Sequence, residues 1–134
     1  MDDCIFCKIV KGDIPCYKIY ENDYVLAFLD IAKDIDGHIL VIPKNHCVNI
    51  LDCGENELKE VMLAVQKISK HLIENCGYDG VNLINCCNES AGQTVFHLHI
   101  HIIPRKENDN QKVFPKFAGA SIELAEMCQK LKLE

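Results

Sequence analysis

Three histidines separated by single apolar residues form the segment of this sequence best suited to chemistry. The run His97-Leu98-His99-Ile100-His101 places an imidazole at every second position. Because side chains alternate between the faces of a strand, a strand here presents all three imidazoles on one face, about 7 Å apart. Its apolar residues then pack on the core and fix the direction of the histidines. A solvated strand face is the alternative, although such a face rarely needs three imidazoles.

Two kinds of chemistry suit this histidine run. A His-x-His pair can supply two ligands to a catalytic zinc or iron ion, but such sites commonly add a carboxylate, and none lies between Gln93 and Pro104. A neutral imidazole can instead act as a nucleophile while its neighbours handle protons and charge. The stretch from Ala91 to Thr94, just upstream, offers backbone, amide and hydroxyl donors for phosphoryl oxygens. The nucleophilic hypothesis is therefore better supported.

The histidine run belongs to the last of five predicted strands. Alternating apolar residues, β-branched residues and turn signals place the strands at residues 17–21, 24–29, 37–43, 81–85 and 94–103. Asn22 and Asp23 are typical of a hairpin turn between the first two strands. Pro104 is expected to end the last strand.

Helical spacing of apolar residues predicts a long helix packed on one face of this sheet. The apolar stripe runs between Asp52 and Gly77; Asp52 with Glu55 resembles a capping box, and Gly77 suits the position after the last turn. A short helix is predicted before Gly12 and a terminal helix after Ser121. The residues of the terminal helix expected to face inward are Leu124, Met127 and Leu131. These elements predict an α+β fold with about five mostly antiparallel strands.

Composition bounds the class of protein. The chain has 134 residues, with 14 Lys and Arg against 20 Asp and Glu, for a formal net charge of -6. This acidic balance argues against a nucleic-acid partner, and no apolar run approaches the ~18 residues that cross a bilayer. Nine scattered cysteines without a secretory signal favour a reducing, cytoplasmic location.

The chain resembles the histidine triad (HIT) family. Its signature, His-φ-His-φ-His-φ-φ with φ apolar, matches residues 97–103, and the preceding Ala-Gly-Gln-Thr-Val-Phe and following Pro-Arg also look like the family. The resemblance continues through Asp30, residues 37–46 and residues 4–9. It implies one HIT-like domain over residues 1–134, with the core motif region at 4–105 and a C-terminal extension at 106–134.

The resemblance implies a nucleotidyl hydrolase that cleaves nucleoside 5′-phosphate derivatives, either phosphoramidates or dinucleoside polyphosphates, without a catalytic cofactor. His99 then attacks the α-phosphorus and forms a nucleotidyl-histidine that water cleaves. His101, Gln93 and Thr94 are expected to hold phosphoryl oxygens and assist the leaving group. The same resemblance assigns two supporting residues, His38 orienting the histidines and Asn85 on the phosphate side.

A nucleoside pocket also follows from the resemblance. Asp30 matches the carboxylate that accepts the ribose hydroxyls, a role that suits a group able to take two donors. Six apolar residues match positions that line the base pocket, namely Ile5, Phe6, Ile9, Phe28, Ile31 and Leu40. Ordinary core packing is the alternative for these six.

The Cys-x-x-Cys pair at the N-terminus is ambiguous on its spacing alone, since zinc and redox chemistry both use it. Branches of the HIT family that begin in this way hold a structural zinc, and the matching residues here are Cys4, Cys7, His46 and His97. A Cys₂His₂ set closes a tetrahedron and leaves no open position. Two buried thiols without metal are the alternative.

The resemblance further implies a homodimer with an adenosine or guanosine 5′-phosphate derivative as substrate, and no membrane partner. The rival class of protein is a non-enzymatic adaptor that binds a purine nucleotide in the same pocket. The leaving group of the substrate stays open between an amine and a phosphate.

Overall fold

The structure, a computed structural model describing residues 3–133, is built on one antiparallel sheet. Its strands are β1 (Lys18–Glu21), β2 (Val25–Leu29), β3 (Ile39–Pro43), β4 (Gly80–Ile84) and β5 (Ile100–Arg105). They lie in the order β1-β2-β3-β5-β4, and each neighbouring pair is antiparallel. The helices are α1 (Ile5–Lys11), α2 (Glu55–Asn75) and α3 (Leu124–Leu131), with a 3₁₀ turn at Glu89–Ala91. The predicted α+β class is confirmed.

Both faces of the central strands are covered, which is why β2 and β3 are apolar along their whole length. On one face, alternate residues such as Val25 and Val41 pack against α2. On the other, Leu26, Phe28 and Leu40 pack with Phe6 of α1. The second layer places α1 directly over the strands that carry the predicted site.

The long helix packs through the predicted stripe but begins later than expected. Its buried residues are Val61, Ala64, Val65, Ile68 and Leu72. The predicted capping box is wrong, because Gly54 occupies the N-cap and the Asp52 carboxylate accepts the N–H groups of Val48 and Asn49 instead. At the other end Gly77 has φ 82°, the left-handed conformation predicted there.

The strand with the histidines is shorter at its start than predicted. Residues 94–99 lie outside β5 because their backbone bonds elsewhere: Leu98 donates to the carbonyl of Cys47 at 2.8 Å. Pro104 does not end the strand, since β5 continues to Arg105. Pro104 lies beyond Ile102, where the pairing with β3 stops, so its missing N–H breaks no bond to β3.

The segment after β5 is held by Arg105 but leads to a helix that is not packed inward. The Arg105 guanidinium donates to Asn82, to both oxygens of Asp109 and to the carbonyl of Gln111. The predicted terminal helix is present as α3, but its predicted inward packing is wrong, because Leu124 is 83% and Leu131 68% exposed and Met127 is only partly buried. No other described residue covers these side chains enough to bury them.

Among the helices of residues 3–133, none has both the length and the apolar character that a membrane span requires.

Candidate active site

A cavity of about 280 Å³ lies between α1, the ends of β2 and β3, and the segment before β5. We call it the α1 cavity. Its walls contain all six residues predicted for the base pocket: Ile5, Phe6, Ile9, Phe28, Ile31 and Leu40. Four predicted polar residues also line it, namely Asp30, Thr94, His99 and His101. Ile31 is 77% exposed, so ordinary core packing does not describe this position.

Five further lining residues were missed by sequence reasoning: Ile14, Pro15, Cys16, Leu29 and Val95. The first three follow α1 directly in the sequence. The left-handed Gly12, with φ 86°, ends α1 and turns the chain back along the cavity. Gly12 and Pro15 are therefore the sequence features that could have indicated that residues 14–16 line the cavity.

The ring of His99 is held with one nitrogen fixed as a donor. Its Nδ1 lies 2.8 Å from the carbonyl oxygen of His97. A carbonyl can only accept, so the neutral ring carries its proton on Nδ1 and a lone pair on Nε2. Phe6 packs edge-on against the ring with centroids 5.2 Å apart. The arrangement leaves Nε2 as the nucleophilic nitrogen of a ring that lines the cavity.

A line of polar groups runs from the neighbouring histidine to the opposite side. His101 Nδ1 lies 2.8 Å from His38 Nε2, and His38 Nδ1 lies 2.9 Å from the Asp34 carboxylate. Asp30 is 3.6 Å from the same His38 nitrogen. Burial, together with the His99 and His38 rings, lowers the pKa of His101 to about 4. His101 is therefore neutral at pH 7 and available for hydrogen bonding.

The position of His38 depends on the glycine before it. Gly37 has φ 81°, and a Cβ there would lie 3.0 Å from Cγ of Pro104. Both the backbone conformation and the close approach favour glycine. The same residue lets the loop after Asp30 return against β5 and carry His38 beside His101.

Two predicted substrate ligands, Gln93 and Asn85, are not among the residues that line the α1 cavity. The buried Gln93 amide donates to the carbonyls of Val48 and Val95 and accepts from Asn49 and the N–H of Asn88. All four of its hydrogen-bonding positions are thus filled by protein.

Asn85 also hydrogen-bonds to the backbone. Its amide donates to the carbonyl of His99 at 2.9 Å. Gln93 and Asn85 therefore hold the segment that carries Thr94 and His99, whereas Thr94 itself faces the α1 cavity.

A second cluster adjoins this cavity, formed by Cys4, Cys7, His46 and His97, whose ligand atoms all lie within 4.8 Å of one another. His46 and His97 Nδ1 are 3.2 Å apart, and Cys7 Sγ is 3.3 and 3.5 Å from them. Around a tetrahedral zinc, such edges are about 3.3 Å between nitrogens and about 3.6 Å between nitrogen and sulfur. The four residues fit a closed zinc site.

The protonation of this cluster also suits a metal. His97 Nε2 lies 2.8 Å from the carbonyl of Pro43, so Nε2 carries the proton and Nδ1 presents its lone pair to the thiols. Burial lowers the pKa of His97, which keeps the ring neutral. Burial also raises the pKa of the Cys7 thiol, so a cation would be needed to favour the thiolate there.

Comparison with known proteins finds one matching family model and several relatives. The model of the HIT domain family matches residues 11–108. Protein hit of Bacillus subtilis is 48% identical over 104 residues, covering 78% of this chain and 72% of that protein. A Schizosaccharomyces pombe protein named adenosine 5′-monophosphoramidase hnt1 is 42% identical over 106 residues, covering 79% and 77%. The Arabidopsis thaliana protein named adenylylsulfatase HINT3 is 42% identical over 108 residues, covering 81% and 55%.

Solved structures show the same fold. A Streptococcus mutans protein matches with a TM-score of 0.85 and 42% identity, covering 97% of this chain and 82% of that one. A structure described as a zinc-bound histidine triad family protein from Mycobacterium smegmatis matches with a TM-score of 0.77 and 38% identity, covering 81% and 79%.

Proposed function

The chain belongs to the HIT (histidine triad) family, and from this premise we propose that it is a nucleotidyl hydrolase acting at the α-phosphorus of nucleoside 5′-phosphate derivatives. The observation that carries the proposal is the fixed tautomer of His99. Its Nδ1–H donates to the His97 carbonyl at 2.8 Å, which leaves a lone pair on Nε2 of a ring that lines the α1 cavity. A neutral imidazole held in this way is suited to attack phosphorus.

The reaction proceeds by two displacements. The His99 Nε2 lone pair forms a bond to the α-phosphorus as the bond from phosphorus to the leaving group breaks. Water then attacks the phosphorus and gives one proton to the neighbouring His101 ring, while the bond from phosphorus to Nε2 breaks, its electron pair returns to Nε2 and the nucleoside monophosphate is released. The Thr94 hydroxyl and the neighbouring His101 ring, which both line the cavity, are assigned to contact phosphoryl oxygens and the leaving atom.

The remaining walls of the cavity are proposed to bind the nucleoside part of the substrate. Phe6, Phe28 and Leu40 give apolar contact area for a base, and apolar contact alone distinguishes poorly between adenine and guanine. The Asp30 carboxylate at the rim can accept ribose hydroxyls. The two relatives named as an adenylylsulfatase and an adenosine 5′-monophosphoramidase support adenosine derivatives as the first substrates to test.

The cluster of Cys4, Cys7, His46 and His97 is proposed to hold zinc in a structural role. The donor set has four protein ligands, which leaves no coordination position for a substrate. Bound there, zinc would supply cross-linking of α1 to the segment before β5.

Location and assembly complete the proposal. All nine cysteines are free, which favours a reducing compartment such as the cytoplasm. The family resemblance implies a homodimer whose sheets run together. β4 is an edge strand, with Leu83 exposed, and this is compatible with such a pairing.

A substrate panel tests the proposed reaction. Purified protein is given adenosine 5′-phosphoramidate, adenylyl sulfate and diadenosine polyphosphates, and AMP release is measured together with AMP binding. We expect release from at least one compound, and acid-labile label on a histidine when turnover is quenched. Tight AMP binding with no release from any compound would instead identify a nucleotide-binding adaptor.

A further inference from the structure

A carboxylate outside the α1 cavity is connected to it by two histidines. Asp34 Oδ1 lies 2.9 Å from His38 Nδ1, and His38 Nε2 lies 2.8 Å from His101 Nδ1. We propose that Asp34 is a positioning residue that sets the protons of His38 and His101, and thereby makes His101 a proton donor to the departing group. This inference rests on the proposed function, because it concerns the leaving group of that reaction.

The carboxylate fixes the tautomer of the first histidine. The hydrogen bond from His38 holds the pKa of Asp34 below its ordinary value, so the carboxylate is ionised and can only accept. His38 therefore carries a proton on Nδ1. His38 is buried, whereas the Asp34 side chain is 56% exposed. The exposed residue thus controls a ring that solvent scarcely reaches.

The two histidines then have two arrangements. In the neutral pair, His101 Nδ1–H donates to His38 Nε2, and His101 Nε2 carries a lone pair. When the pair takes up one proton, His38 has protons on both nitrogens and donates to His101 Nδ1, while His101 carries its proton on Nε2. The positive charge then lies on His38, with Asp34 at 2.9 Å and Asp30 at 3.6 Å. Asp34 stabilises the second arrangement, which is the one that can give a proton.

Proton transfer follows the breaking bond. As the bond from phosphorus breaks, the leaving atom keeps the electron pair and takes the proton from His101 Nε2. The proton on His38 Nε2 passes to His101 Nδ1, and the pair returns to its neutral arrangement. An amine needs such a proton in order to leave, whereas nitrophenolate leaves as a stable anion.

Other charged groups near the pair are placed differently. The His99 ring lies 5.0 Å from that of His101, on the cavity side. Lys112 shares with Asp34, His38 and His101 the wall of a second cavity of about 390 Å³. Among the described carboxylates, only that of Asp34 has an oxygen within 3.0 Å of a His38 ring nitrogen. Its role is therefore separable by substitution.

Leaving-group dependence tests the proposal. We measure kcat/KM, which reports the steps through departure of the leaving group, for adenosine 5′-phosphoramidate and for the p-nitrophenyl ester of AMP. Asp34→Asn keeps an acceptor for His38 but removes the charge. We expect it to lower kcat/KM for the phosphoramidate by about tenfold or more, and that for the ester by less than about twofold.

The matched control is Asp36→Asn, an exposed residue of the same loop, which should leave both values unchanged. Equal losses for the two substrates, or no loss for the phosphoramidate, would overturn the role of Asp34. If the wild-type protein releases AMP neither from these two substrates nor from the other compounds of the panel, the proposed function fails instead.

A second measurement keeps the two failures distinguishable. Nitrogen-15 NMR of the histidine rings at pH 7 should show the His38 proton on Nδ1 in the wild type and a mixture of tautomers in Asp34→Ala. Asp36→Ala should resemble the wild type, and thermal unfolding confirms that each variant is folded. An unchanged His38 ring in folded Asp34→Ala contradicts the inference whether or not the protein turns over.

Discussion

His97 and His99 are two residues apart, and each has one ring nitrogen fixed as a donor, Nε2 in His97 and Nδ1 in His99, but their surroundings differ. Each ring donates one N–H to a backbone carbonyl 2.8 Å away, His97 to Pro43 and His99 to His97 itself. Each is thereby left with a lone pair on its other nitrogen. The His97 lone pair meets two thiols and a second imidazole in a cluster where Cys7 and His97 are buried, whereas the His99 ring lines an open cavity. A backbone carbonyl orients each ring, and the groups around the free nitrogen are the basis for proposing His97 as a metal ligand and His99 as a nucleophile.

The largest expected effect comes from removing the ring at the cavity. His99→Ala should lower kcat by about 10³-fold or more, because the attacking nitrogen is lost. Zinc content and melting temperature should stay near those of the wild type, since His99 is only partly buried and is not a proposed ligand. His71→Ala, on the exposed face of α2, is the matched control. If His99→Ala keeps an activity close to that of the wild type, His99 is not the nucleophile.

The next effect comes from removing a ligand from the cluster of Cys4, Cys7, His46 and His97. Cys7→Ala should release zinc and lower the melting temperature by about 10 °C or more, because a structural metal contributes several kcal/mol to folding. Elemental analysis and thermal unfolding with and without a chelator measure both effects. Cys128→Ala, at an exposed position on α3, should change neither. The zinc proposal is contradicted if wild-type protein, purified without chelator, holds less than about a tenth of a zinc ion per chain.

A smaller effect depends on pH. Burial lowers the pKa of folded His101 to about 4, against 6.5 for an ordinary histidine. The unfolded chain therefore binds a proton first on acidification, and the stability due to this group, complete above pH 6.5, is lost as the pH falls through about 4. Between pH 7 and pH 5, the melting temperature of the wild type should fall by a few degrees more than that of His101→Asn. Protonation of the Cys and His ligands affects both proteins alike, so equal falls would contradict the assignment.

Local patterns predicted most of the fold. Apolar runs bounded by turn, glycine and proline signals placed β2 and β3 within two residues, and the apolar stripe of α2 is buried as expected. The start of β5 was not predictable from alternation, because Leu98 bonds to the distant Cys47 and leaves the ladder. The terminal helix has an apolar side but no partner among the described residues, and periodicity cannot show whether a partner exists.

The sequence predicted which residues belong to the candidate site better than it predicted their contacts. Resemblance, not spacing, brought together Cys4, His46 and His97, since only the fold closes separations of 42 to 93 residues. The predicted residues of the base pocket line the α1 cavity. Gln93 was expected to contact phosphate, yet Asn49 and backbone groups from elsewhere in the chain occupy the hydrogen-bonding positions of its amide. Such contacts depend on tertiary structure and leave no mark in the local sequence.

The seven-residue helix α1 contributes adjacent residues to both regions. Phe6 packs edge-on against His99 and lines the cavity, while Cys7 faces His46 and His97. Because the two residues are adjacent, modification of the Cys7 sulfur by an electrophile or a peroxide is expected to disturb the aromatic wall beside His99. The proposed nucleotide turnover would then be sensitive to thiol damage, although no cysteine takes part in the proposed reaction.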